Sequence, residues 1–232
     1  NDFPTTQTIL FSQKLLRQIL SLFYSFSFVN PQDELMNVHF DQALQSPEYT
    51  KFLTLTQKLS TLDTSELSEH ATIAFFVNCY NSLIVHACLV CKCFPSSNLD
   101  LKVMSRCAYY SIGLSPHASQ SASKSQIYSL FDIKHGVLRG NQKEPFFLSA
   151  RFQNHDPRLQ HVLETVDPRI HFVLCYHTQN SPSVWLMCEE KVEQQLEWAH
   201  RQYIQDNVVI DVATRTITLP KLFKEYEKDF GG

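Results

Sequence analysis

Apolar residues recur along the first sixty positions at the spacing of amphipathic helices. Leu15, Leu16, Ile19, Leu20, Phe23 and Phe26 share one broad face, which predicts a helix over residues 7–29 stopped by Pro31. Asp33 is placed to cap a second helix through about Leu44, and Ser46-Pro47 opens a third that runs to about Leu59. The segment Leu67 to Val90 is apolar nearly all the way round, the mark of a buried central helix. Its exception is a polar seam. At about 100° per residue, Asn78, Asn81, Ser82 and His86 fall within one arc of about 140°. Buried amides need partners, so these asparagines either hold neighbouring backbone or line a site.

Further on, the pattern shortens. An Asp167-Pro168 turn leads into a predicted strand with Ile170, Phe172 and Leu174 on one face and His171, Val173, Cys175 and His177 on the other. Val184 to Cys188 reads as its neighbour, and Asn207–Val212 with Arg215–Leu219 as a hairpin across Ala213-Thr214. Helical spacing returns at Leu130, Ile133, Val137 and Leu138, ended by Arg139-Gly140. It returns again at Val192, Leu196, Ala199 and Tyr203, and Pro220 opens a last helix. The serine-rich run Leu114 to Gln126 has no apolar period and reads as a surface loop, with Ser115-Pro116 a candidate phosphorylation site. The fold class expected is α+β: an N-terminal helical layer, a buried central helix and a small, mostly antiparallel sheet with interspersed helices.

Composition narrows the function classes. The 232 residues are 44% hydrophobic and 19% charged with a formal net charge of −3, an ordinary globular balance that argues against a nucleic-acid partner. Seven cysteines, an odd count with apolar neighbours, read as reduced thiols of a cytoplasmic protein. The apolar run Ile19 to Val29 is shorter than the roughly 20 residues of a membrane span, and no signal-peptide layout is seen. The chain starts without methionine and stops at Phe230-Gly-Gly232, which suggests a piece of a larger multidomain protein.

Three groups invite chemistry. His86, Cys88, Cys91 and Cys93 crowd one helix end, but a structural zinc wants two separated ligand pairs, so neither metal nor cofactor is expected. On a strand, His171 and Cys175 stand about 13 Å apart, out of direct reach, so any nucleophile served by His171 comes from elsewhere. Ser181-Pro182 lacks a G-x-S-x-G elbow and reads as a turn serine.

Four blocks carry a resemblance. Phe75-Phe-Val-Asn-Cys-Tyr-Asn-Ser-Leu-Ile-Val-His86 resembles the F-W-x-N-x-Y-N-A-L-x-x-H segment of the DUF547 domain family. Tyr110 to Gly113 followed by Tyr128 to Asn141 is similar to its Y-x-I-G…Y-S-L-x-x-I-E-H-G-x-L-R-G-N, and Asp167 to Cys175 to its D-P-R-I-H-F-A-L-x-C. The tail Leu219 to Gly231 resembles the family's closing helix. On this reading residues 1–64 are a helical lead-in and residues 65–232 the DUF547-like domain. The family brings no settled reaction; its recurrent Glu, His and Cys positions suggest a thiol-based hydrolase or transferase. In eukaryotes the domain often stands beside coiled coils, DEP or glutaredoxin-like domains.

Two departures matter. The family's I-E-H is Ile133-Lys134-His135 here, and its C-G-x-x-S-C-P is Cys175-Tyr-His-Thr-Gln-Asn-Ser-Pro182, one residue longer, with Tyr176 for the glycine and Ser181 for the second cysteine. Losing the acid and a thiol implies a degenerate, non-catalytic domain serving as a protein-interaction or scaffold module, its partner unidentified. The alternative is a thiol- or serine-dependent hydrolase or transferase using His171 or His86 with Ser181 or Cys175. Asn78, Asn81, His135, Arg139 and Arg169 are the polar positions expected to build or bind at such a site.

Overall fold

The computed structural model describes residues 3–31, 36–97, 100–101, 103–104, 108–113, 125–143, 149–176 and 181–231. Asp33, Cys107, Ser115 and His177 lie outside them, and with them most of the serine-rich run.

The central element is α4, Glu69–Cys91, which begins where Ser68 caps it by accepting from the Ala71 N–H. Every residue from Ala71 to Val85 is buried. This helix is long and apolar enough to cross a membrane, but 89% of its apolar window lies inside the protein, as in a core helix. Against it lies α1, Phe3–Ser25, whose Leu15, Leu16 and Ile19 are fully buried. The short α2, Phe40–Gln45, and α3, Pro47–Lys58, complete the helical layer, Ser46 capping α3 just ahead of the proline at its first turn.

Two N-terminal boundaries differ from expectation. The first helix ends at Ser25 because Ser27–Val29 (β1) pairs antiparallel with Met36–Val38 (β2). Residues 36–38 of the expected second helix are therefore strand, and among the described residues its helical part is 40–45.

The fold is α+β, with its antiparallel pairing shared, among the described residues, by three two-stranded ribbons. β1–β2 is the first. Tyr109–Ile112 (β3) pairs with Gln126–Ser129 (β4), and Val209–Asp211 (β5) pairs with Thr216–Thr218 (β6), Asp211 accepting from the Ala213 and Thr214 N–H groups in the turn. The amphipathic α5, Val192–Asn207, buries Val192, Leu196, Ala199 and Tyr203 as its spacing predicts. Pro220 precedes the last short helix, α6, Lys221–Glu225.

The expected strand after Asp167 is not a strand. Residues Pro168–Phe172 form a 3₁₀ turn: proline sets the first dihedral, and the Asp167 carboxylate accepts from the Arg169 N–H. Ile170 through Cys175 are all buried, so alternation does not sort them into an inner and an outer face. Asp156-Pro-Arg158 repeats the device, opening the 3₁₀ turn Pro157–His161. Residues 184–188 likewise run without a strand partner among the described residues.

What replaces the missing pairing is a set of amide side chains. Asn78 donates to the Met187 carbonyl (3.0 Å) and accepts from the Met187 N–H (2.9 Å). Asn81 donates to Val173 O (2.9 Å) and accepts from Cys175 N–H (2.9 Å). Asn141 grips Phe152 in the same two-handed way, and Gln195 spans Leu186 and Cys188. Each sets an N–H donor beside a carbonyl acceptor, the pair of partners that an edge of buried backbone lacks.

Candidate functional site

Residues Asp132–Leu138 form a π-helix, with main-chain bonds of five-residue span continuing past its end from Arg139 N–H to Lys134 O and from Asn141 N–H to Gly136 O, both 3.0 Å. Gly136 allows it to sit there, since a Cβ would stand 2.2 Å from the Phe152 ring. The wide turn brings Lys134, His135 and Arg139 inward, each no more than 5% exposed.

The far side of the cluster comes from the C-terminal tail. Asp229, its side chain fully buried, takes Arg139 in a forked pair: Nε to Oδ2 at 2.5 Å and Nη2 to Oδ1 at 2.7 Å. His171 Nε2 meets the same Oδ2 at 2.8 Å, while Arg139 Nη1 lies 2.8 Å from His135 Nδ1. Because the guanidinium can only donate, His135 Nδ1 accepts; because Asp229 is ionised, His171 carries its hydrogen on Nε2. His171 Nδ1 then faces the interior without a hydrogen-bond partner among the described residues.

Tyr226 is the plate on which the basic groups lie. The His171 ring centroid is 4.1 Å away, the Lys134 ammonium 4.3 Å, the Arg139 guanidinium 4.8 Å and the His135 centroid 6.2 Å. Lys134 is held from the other side by Tyr176, donating to its hydroxyl at 3.0 Å with the ring centroid 4.4 Å off.

Electrostatics follow the burial. Desolvation pushes His171 down to about 4, partly offset by its bond to Asp229. His135 is held well below its ordinary value by burial and then by Lys134 and Arg139. Burial alone would raise Asp229, but the hydrogen bonds from Arg139 and His171 outweigh it and keep the carboxyl below its usual range.

His135, Arg139 and His171 thus come together, and the other candidates do not join them. His86 belongs to a separate aromatic nest, 3.1 Å from the Tyr49 hydroxyl and edge-on to Phe52, where burial lowers it to about 4. Arg169 is partly exposed and pairs with Asp167 and Glu193. Cys175 lies 3.4 Å from Ser181 Oγ, but that oxygen accepts from the Tyr176 N–H (2.8 Å) and is bound to the Pro182 carbonyl (3.2 Å), which makes it a turn serine. Asn78 and Asn81 hold backbone. Without a strand, no extended rise sets His171 and Cys175 apart, and the partner His171 has is Asp229.

Asp229 and Tyr226 are the residues that reading the sequence left out. A signal was present, since both fall in the closing block that resembles the family.

A family model described as "Protein of unknown function, DUF547" matches residues 64–204, more than half of the chain. No curated protein and no solved structure matches it.

Proposed function

The chain belongs to the DUF547 family, and on that premise we propose that it is a degenerate, non-catalytic member acting as a protein-interaction or scaffold module of a larger cytoplasmic protein. The observation carrying this reading is the contact between Lys134 and Tyr176. Where the resemblance places a glutamate beside a histidine and a glycine after a cysteine, this chain has a cation and an aromatic ring that close on each other. Among the described residues the side chains of this centre pack on one another, Lys134, His135, Arg139 and His171 each being no more than 5% exposed. His171 is sealed under Tyr226 and Phe230, and the Ser181 hydroxyl beside Cys175 is engaged by the Tyr176 N–H in a turn.

One feature favours the hydrolase or transferase alternative. A histidine oriented by a buried carboxylate, with its second nitrogen bare, is the base-and-orienter half of a nucleophilic machine. The nucleophile half is missing: among the described residues no hydroxyl or thiol hydrogen-bonds to that second nitrogen.

The test is labelling with probes for nucleophilic residues, a fluorophosphonate for serine and an epoxide for cysteine. The expected result is no labelling of Ser181 or Cys175 in the folded chain. Labelling of either that disappears in His171→Gln would overturn the reading.

A further inference from the structure

The C-terminal segment 220–231 is docked like a foreign peptide. Its described main-chain hydrogen bonds are all internal: Phe223 to Pro220, Tyr226 to Leu222, Asp229 to Tyr226 and Gly231 to Lys228. Its helical pieces, Lys221–Glu225 and Glu227–Phe230, are far too short to be stable alone. Side chains do the holding: Asp229 in the Arg139–His171 fork, Tyr226 under the basic groups, and Phe223 and Phe230 against Phe172. It hangs from the β5–β6 ribbon, whose six strand residues are all exposed.

We propose that Lys134, His135, Arg139 and His171 form a receptor site for an acidic peptide, which the chain fills with its own tail. The ligand it fits is a partner segment bearing an aspartate, an aromatic residue three positions before it and another directly after it, as Tyr226, Asp229 and Phe230 are arranged. The carboxylate supplies the forked pair that arginine geometry selects, and the tyrosine supplies the face on which the cations lie. A partner offering such a segment exchanges with the tail and takes its place, so the site is a switchable interface. This deepens the module reading given above and rests on it.

The experiment keeps every residue of the chain. A specific protease sequence is placed in the exposed turn 212–215, the protein is folded, and the turn is cut, leaving the tail bound without a covalent link. A fluorescein-labelled peptide of residues 220–231 is then added and its anisotropy followed, with near-ultraviolet circular dichroism reporting the body. The expected result is saturable entry of the labelled peptide, with an unlabelled peptide carrying Asp229→Ala competing at least about a hundredfold less well. A labelled peptide that never enters, a body that loses its near-ultraviolet signal as the tail leaves, or an Asp229→Ala peptide that competes equally each overturns the proposal. Hydrolase-probe labelling overturns the module reading on its own and leaves the exchange result standing, so the two failures are distinguishable.

Discussion

Lys134 and Tyr176, 42 positions apart in the chain, meet at 3.0 Å in the middle of the buried basic cluster. Both are positions where the sequence departs from the family pattern it otherwise resembles, and the fold makes them one contact. An ammonium in place of a carboxylate needs a new acceptor and an electron-rich face. Tyr176 offers both, and Tyr226 offers a second face.

The first expectation concerns that pair. Lys134→Met keeps the stem and removes the charge, and Tyr176→Phe removes only the hydroxyl. In a double-mutant cycle by urea unfolding the two should couple by about 1 kcal/mol or more, as for a hydrogen bond to a charged group. Additive effects would mean the contact contributes nothing of its own.

Asp229→Ala leaves the Arg139 guanidinium, 4% exposed, without its buried carboxylate. Removing one partner of such a pair typically costs about 3–5 kcal/mol. Urea unfolding should show a loss of this size, and Asp229→Ala combined with Arg139→Met should recover part of it.

Stability should fall on acidification. The folded values of His86 and His171 are near 4, and those of His135 and His161 are also lowered, while an unfolded histidine binds its proton near 6.5. The unfolded chain therefore takes up protons first as pH drops below about 6.5. The stability present above that value is lost progressively toward pH 4, with a limiting slope of roughly 1.4 kcal/mol per pH unit for each histidine. Asp229, held below the usual range, adds to the loss once pH falls under about 4. Urea midpoints at pH 7.5 and 5 check the sign. His171→Gln, which keeps a donor toward Asp229, should flatten the slope by about one proton.

Asn78→Ala unmakes both bonds to Met187 and strips the buried Met187 N–H of its acceptor, while the Met187 carbonyl keeps the bond from Gln13 Nε2. For one unsatisfied buried donor the loss should be about 1–3 kcal/mol. An unfolding curve unchanged by this substitution, or by Asn81→Ala, would show that water replaces the amide.

Gly136→Ala drives a methyl into the Phe152 ring, so its melting temperature should drop, and Phe152→Leu should restore part of the fall in the double variant. Differential scanning calorimetry of the two variants measures it.

The helical half of this fold was plain in the sequence, because burial on every side of Glu69–Cys91 writes an unbroken apolar run and serine caps mark where helices begin. The segment after Asp167 was not. Its alternating residues imitate a strand, yet a capping aspartate and a proline set the first turn, and local chemistry outweighs period when all the side chains are buried anyway. The site was legible only by halves. His135, Arg139, His171 and Asp229 all lie in blocks that resemble the family, but Asp229 sits in a stretch of mixed charge, Lys224 to Asp229, where nothing marks one carboxylate above its neighbours. Only the tertiary path that folds the tail back across the π-helix gives it a meaning, and no spacing rule reaches across 58 residues.

The asparagine grips also bear on how such a chain changes over descent. A strand joined to a sheet transmits any insertion along its whole ladder, because a shift of one residue turns every side chain over. A segment held by a single amide is fixed at two atoms and indifferent to the length of the loop beyond them. Asn81 makes its last bond at Cys175, and the next residue, Tyr176, is where the resemblance breaks and the loop lengthens. The grip thus acts as a firebreak: it pins the backbone at Val173 and Cys175 whatever the length of the loop that follows Tyr176.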